Sequence, residues 1–397
     1  MPTAADPIVI LSYARTPMGA FQGALAGASA TELGATAVRA AVERAGIASD
    51  RVDKIYMGCV LPAGLGQAPA RQAALGAGLP RATEATTVNK VCGSGMQAAI
   101  FAAETCFAGN ADIVVAGGME SMSNAPYLMT KHRAGARIGH DIVYDHMMLD
   151  GLEDAYDSGR AMGTFAEDAA REYQFTRAAQ DEYAIESLRR ANHAITSGAF
   201  DREVVPVTVK TRKGEEVVGT DEQPGKANPE KIPQLRPAFA KDGTITAANA
   251  SSISDGAAAM VITRQSVADR LGLKPVARLV ATAAHAQAPD KFTSAPVPAV
   301  RKLLELARWE PGDVDLYEVN EAFACVAMIA MRDLDISRDR LNVHGGATAL
   351  GHPIGASGAR LMATLISALE QQGTRRGVAT LCIGGGGGAA GGGGLVE

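Results

Sequence analysis

Short apolar runs alternate along this chain with stretches in which apolar residues recur every third or fourth position. Residues 8–12 form an apolar strand. Over 31–45, Leu33, Ala37, Val38, Ala41 and Val42 share one helical face, and Gly46 ends the run. Residues 52–60 read as a strand, 69–75 as a short helix, and 111–116 as a wholly apolar strand closed by Gly117-Gly118. Between them a β-rich run, 85–91, stops at Cys92. Gly93-Ser94-Gly95 then opens a helix of small residues through Ala98, Ala99, Ala102 and Ala103. Strands alternating with helices predict an α/β fold with a parallel sheet covered on both faces.

Residues 121–250 break this rhythm. Two helices are expected over 163–173 and 178–197, the second placing Ala184, Leu188, Ala191 and Ile195 on one face before Gly198 stops it. Residues 204–209 and 216–218 flank Lys213-Gly214 as a hairpin, and the polar stretch 223–234 reads as a loop. The region has the character of a long insertion, a place for ligand and subunit contacts.

Near Pro275 the first pattern starts again. Residues 276–281 answer 8–12, and Val314-Asp315-Leu316-Tyr317 answers Val52-Asp53-Lys54-Ile55-Tyr56. Ala356-Ser357-Gly358-Ala359 answers Gly93-Ser94-Gly95-Met96, and 377–386 answers 112–118. Shared order at near-constant offset marks a duplicated unit. Two such halves would enclose one site, supplied by Cys92 from the first and by Asn320, His352 and Cys382 from the second. The stretch 384–394, almost all glycine and alanine, predicts a strand that packs poorly and carries extra backbone entropy.

Composition narrows the class. The chain has 397 residues and is 47% hydrophobic, yet no apolar run approaches the ~18 residues of a membrane span. Net charge is −5 with the signs interspersed, which argues against nucleic acid as the main partner while leaving room for an anionic ligand on a local basic rim. The beginning carries no secretory or transit pattern, so a cytoplasmic location is expected. Five scattered cysteines without CxxC spacing argue against structural zinc and a disulfide framework. Cys59, Cys106 and Cys325 read as core, and no metal site is expected.

Cys92 carries the candidate chemistry. A sulfur at a helix amino end meets unpaired N–H groups, and such thiols can have pKa values of roughly 3.5–7.5. A buried, inert thiol under a tight turn fits the same stretch. His352, in Gly351-His352-Pro353-Ile354-Gly355, is a candidate base for a Cys92 nucleophile. Cys382, at a strand end, can remove an α-carbon proton if its pKa lies near 7–8. Asn320 and His352 make one candidate oxyanion hole, and the N–H groups of Cys92 and Gly384 another. Taken singly, His352 also reads as a satisfied core histidine, Asn320 as a turn residue and Cys382 as packing.

Together these motifs resemble the thiolase family. The resemblance continues through Gly117-Gly118-Met119-Glu120-Ser121-Met122-Ser123, Leu235-Arg236-Pro237-Ala238-Phe239 and Asn249-Ala250-Ser251, and so runs through nearly the whole chain. It implies a five-layer αβαβα sandwich of two βα halves, 1–120 with 251–272 and 273–397. A loop domain over 121–250 would bind coenzyme A and form tetramers. The implied activity is reversible condensation of two acetyl-CoA to acetoacetyl-CoA plus CoA through a Cys92 acyl-enzyme. Coenzyme A thioesters are then substrates and no cofactor is needed.

By matching positions, Ser251, Ala238, Phe239 and Phe323 would hold coenzyme A, and Met162 would line the acyl pocket. The basic, Met-containing 127–150 stretch matches a tetramer-forming loop, so a homotetramer, a dimer of dimers, is expected. Two positions depart from the pattern. His344 stands where many thiolases carry asparagine, and Ala161 replaces a histidine frequent in short-chain biosynthetic members. Competing readings are a broad-range degradative 3-ketoacyl-CoA thiolase and a non-catalytic CoA- or lipid-binding protein of the same fold.

Overall fold

The computed structural model describes residues 6–212 and 214–396. One sheet carries the duplication. From its centre outward the first half runs Ile8–Arg15, Ser254–Arg264, Ile113–Ser121, Lys54–Gly58, Glu84–Val88. The second half runs Ala277–Ala286, Gly387–Leu395, Arg376–Ile383, Leu316–Val319, and an isolated bridge from Tyr317 to Leu341 stands where a fifth strand would lie. The halves join through Ile8–Leu279, Val9–Arg278 and Ile10–Ala277.

The sheet is mixed, which corrects the all-parallel expectation. Among the described residues, the parallel strand pairs of this sheet are those made by Lys54–Gly58 with its two neighbours and by Leu316–Val319 with Arg376–Ile383. The strand Ser254–Arg264, which the sequence reading passed over, pairs antiparallel with both Ile8–Arg15 and Ile113–Ser121.

Helices complete five layers. Ala30–Arg44, started by a Ser29–Glu32 capping box, packs with Pro69–Gly76 on the outside of the first half. Ser94–Phe107 and Ser357–Gln372 form the middle layer. Their Met96, Ile100, Leu361 and Leu365 share one core with Val114 and Met260 of the first half and Leu316 and Leu381 of the second. Pro296–Ala307 and Ala324–Asp333 cover the second half. Apolar faces on both sides of each sheet half thus find a partner, as layered domains require.

The glycine-rich strand does not pack poorly. A Cβ at Gly388 would collide with the Ala295 backbone, and one at Gly392 would come within 2.7 Å of Leu303. The missing side chains let the helix Pro296–Ala307 approach closely. Gly385 and Gly386, at φ +87° and +88°, make the tight turn that leads into the strand.

Residues 121–250 carry the helices Met162–Glu172 and Arg177–Thr196 and the hairpins Tyr127–Leu128/Tyr144–Asp145 and Val207–Thr211/Gly214–Val218. Lys213, assigned to the second turn, lies outside the described residues. The stretch read as a loop over 223–234 ends in a short 3-10 helix, Pro229–Gln234. The buried Arg15 pairs with Glu203 at 2.5 Å and Asp221 at 2.7 Å, fastening this region to the first half.

Candidate active site

Cys92 lies at the head of the middle layer, two residues before the helix Ser94–Phe107 begins. Val91 adopts φ +47°, a left-handed conformation uncommon for a β-branched residue. Ser94 holds it: its Oγ donates to Val91 O at 2.6 Å and accepts from Lys90 N at 2.8 Å. The backbone N–H groups of Gly384 and of Cys92 itself reach the sulfur. Its side chain packs beside Val60, Leu61, Met122 and Ile354.

Cys92 is half-buried, and these apolar neighbours work against the expected low thiol pKa. Desolvation pushes the Cys92 thiol up to about 11, and the two N–H groups offset only part of it. Cys92 therefore rests as a thiol.

His352 follows the short helix Ala347–Leu350. Its Nδ1 lies 2.5 Å from Ser357 Oγ, and that hydroxyl donates to Pro353 O at 2.9 Å. The hydroxyl proton is thereby used, so Nδ1 carries the imidazole proton and Nε2 keeps a lone pair. The Asn320 amide lies 3.3 Å from that Nε2. Burial first, then the Arg360 charge, lowers the imidazole pKa to about 3. His352 is a neutral ring.

Asn320 is set by the sheet, its N–H donating to Thr380 O at 3.0 Å at the end of Leu316–Val319. Cys382 lies in an apolar cluster with Phe165, Phe323 and Cys325. Desolvation raises its thiol well above the ordinary range, and the negative charge of an ionised Cys92 raises it further. At rest Cys382 is therefore a thiol, and not a group poised near 7–8. The two sulfurs, one from each half, are electrostatic neighbours.

Met162 and Phe239 pack onto the cluster that holds Cys382. Phe239 stands edge-on to Phe323, ring centroids 6.1 Å apart, and Met162 Sδ lies 3.6 Å from where a Gly384 Cβ would be. Ser251 N donates to Ala322 O at 2.9 Å, which places it beside Phe323, and Ala238 N donates to Ile245 O at 2.8 Å. A cavity of about 300 Å³ opens nearby, lined by Lys226, Lys231, Leu235, Ala248, Ser252 and Thr348. It adjoins the histidine, since His352 N donates to Ser252 O.

His344 is not brought to this cluster. Its ring stands edge-on to Phe200 at 5.9 Å, so it belongs to packing between elements. Two buried polar residues were missed. Ser357 orients the imidazole, and Glu321 accepts from Tyr183, Ser187, Asn342 and Thr348 just below Asn320. Ser357 falls in the Ala356-Ser357-Gly358-Ala359 repeat and Glu321 directly follows Asn320, and the signal each gave was a polar residue in an otherwise apolar setting.

Thiolase, N-terminal domain, matches residues 8–266, and thiolase, C-terminal domain, matches residues 273–391. The chain belongs to the thiolase family. As a thiolase it is an acyltransferase. It is 51% identical to the acetyl-CoA acetyltransferase of Escherichia coli over 95% of this chain and 96% of that protein. It is 47% identical to that of Schizosaccharomyces pombe, with the same coverage. The crystal structure of the Bacillus anthracis acetyl-CoA acetyltransferase superposes on this thiolase with a TM-score of 0.95 at 40% identity, covering 98% of this chain and 99% of that one. Among the described residues, no helix is long and apolar enough to cross a membrane. None of their His, Cys, Asp and Glu side chains cluster in a group suited to a metal ion.

Proposed function

We propose that this thiolase is an acetyl-CoA C-acetyltransferase, joining two acetyl-CoA into acetoacetyl-CoA and CoA and running the same steps in reverse. The observation that carries the reading is the meeting of two thiols from opposite halves beside a neutral imidazole. In the first half-reaction Cys92 attacks the thioester carbonyl as its proton passes to His352 Nε2. The developing oxyanion is received by the N–H groups of Cys92 and Gly384. The C–S bond of the thioester then breaks; the departing CoA thiolate takes the proton of Cys382, and His352 keeps the proton it took from Cys92. Because Cys92 rests protonated, deprotonation and attack are coupled.

In the second half-reaction the Cys382 thiolate left when CoA departs takes the α-proton of another acetyl-CoA. Its enolate oxygen faces His352 and a water held by Asn320, whose buried Oδ1 lacks a hydrogen-bond partner among the described residues. The enolate carbon attacks the acetyl group, the bond to Cys92 breaks, and its sulfur recovers the proton held by His352, which returns both cysteines to thiols. Ser251, Ala238, Phe239 and Phe323 would hold the pantetheine arm and Met162 the acyl group. Lys226 and Lys231 offer positive charge for its phosphates.

Radiolabelled acetyl-CoA tests this. Wild type should retain label, Cys92→Ala none, and Cys382→Ser should acetylate slowly without condensing. Equal labelling of Cys92→Ala would remove Cys92 from the mechanism. Ala161, small where short-chain members often have histidine, favours a second reading as a broad-range 3-ketoacyl-CoA thiolase. Relative rates on acetoacetyl-CoA and longer 3-ketoacyl-CoAs separate the two.

Assembly as a cytoplasmic homotetramer is part of the proposal. Five free cysteines fit a reducing compartment, and Tyr127, Met129, Ile138 and Ile142 expose apolar surface on the 127–150 stretch. Light scattering that gives a monomer would refute the assembly.

A further inference from the structure

Glu120 is fully buried near the end of the strand Ile113–Ser121, and its carboxylate is satisfied almost wholly by backbone. Oε2 accepts from Val60 N at 3.0 Å and Gly355 N at 2.9 Å; Oε1 accepts from Leu61 N at 3.1 Å and faces Cys59 Sγ at 3.7 Å. One carboxylate of the first half thus grips the second half three residues beyond His352.

On its other side the Gly355 peptide is seated against glycines of the first half. A Cβ at Gly58 would come within 2.6 Å of Gly355 O, and one at Gly118 would collide with it. Gly355 itself has no room, since its Cβ would meet Glu120 Oε2 at 2.6 Å and Cys59 Cα at 3.0 Å. Both turns that the carboxylate holds border the nucleophile, because Leu61 and Ile354 share an apolar cluster with Cys92. A buried carboxylate without a cation is costly. Burial lifts its pKa to about 7 while the backbone donors pull the other way.

We propose that Glu120 is a positioning residue for acyl transfer, locking the 59–61 turn to the 353–355 turn and so fixing His352 against Cys92. This rests on the roles proposed for those two residues.

Glu120→Gln keeps the shape but turns an amide N–H₂ toward backbone donors. The test measures kcat and KM for acetoacetyl-CoA thiolysis in wild-type and His352→Ala backgrounds. With His352 present, kcat should fall about 100-fold with KM within about threefold, as displaced reacting groups do. With His352 absent, the same substitution should cost less than about threefold, because its route to the chemistry is gone. A folded Glu120→Gln enzyme with unchanged kcat, or an equal loss in both backgrounds, overturns the inference. If Glu120→Gln does not fold, Glu120→Asp, charged but one methylene short, takes its place with the same expectations. Should His352→Ala alone leave kcat intact, the failure lies with the proposed role of His352 and not with Glu120.

Discussion

His352 Nδ1–H donates to Ser357 Oγ across 2.5 Å, which leaves Nε2 as a bare lone pair facing the Asn320 amide. A single hydroxyl therefore selects the tautomer that can act as a base. Ser357→Ala frees the ring to exchange tautomers, and kcat for acetyl transfer should fall by about 10–100-fold, the scale of a mis-set acid–base group. Steady-state rates read the effect, and an unchanged kcat would show that Ser357 does not set the ring.

The resting state of Cys92 has a simple chemical signature. With the thiol pushed up to about 11, the thiolate fraction grows throughout the range below that value. In the absence of substrate, alkylation of Cys92 by iodoacetamide should climb about tenfold per pH unit from neutral to pH 10. A plateau below pH 8 would instead mean a thiolate held by the helix end.

His344 should make the fold sensitive to acid. Burial lowers its pKa to about 4, against about 6.5 in an unfolded chain. The folded state therefore favours the neutral ring. Its contribution is complete above pH 6.5 and is lost as the pH falls toward 4, because the unfolded chain takes up the proton first. His344→Asn should flatten this loss by about 2 kcal/mol. Urea midpoints at pH 7 and pH 4.5 would show it, and parallel shifts in both proteins would contradict it.

Glycines of one strand should differ sharply in their tolerance. A Cβ at Gly388 would run into the Ala295 backbone, whereas one at Gly391 meets Met362 Cε at 3.8 Å, an ordinary contact. Gly388→Ala should cost about 1–3 kcal/mol through overpacking. Gly391→Ala should be neutral or gain up to about 1 kcal/mol by stiffening the unfolded chain. Denaturant midpoints decide, and equal costs at the two positions would refute this account of the strand.

The repeat was plain in the sequence because Val52-Asp53 and Val314-Asp315, and Gly93-Ser94-Gly95 and Ala356-Ser357-Gly358, fall at matching places in two copies. Cys92, Cys382 and Asn320 stood out because each lies where an apolar strand ends, and His352 because it sits in a Gly-rich stretch ahead of a helix. The strand Ser254–Arg264 was not. Its Asp-Gly-Ala-Ala-Ala start has weak strand propensity, and only pairing on both edges makes it extended. Thiol acidity also escaped the sequence, since burial by Leu61, Met122 and Ile354 outweighs the helix end and depends on residues far along the chain. His344 resembled a pocket residue only through its neighbours in the motif; its ring turns toward Phe200.

The helices Ser94–Phe107 and Ser357–Gln372 belong to neither half alone, because a single core of Met96, Leu361, Met260 and Leu381 wraps them from both sides. Cut near residue 273, the polypeptide would become two fragments, each baring a greasy flank and each owning one sulfur of the pair. Duplication here made no spare copy, and each lobe has become the other's obligatory scaffold.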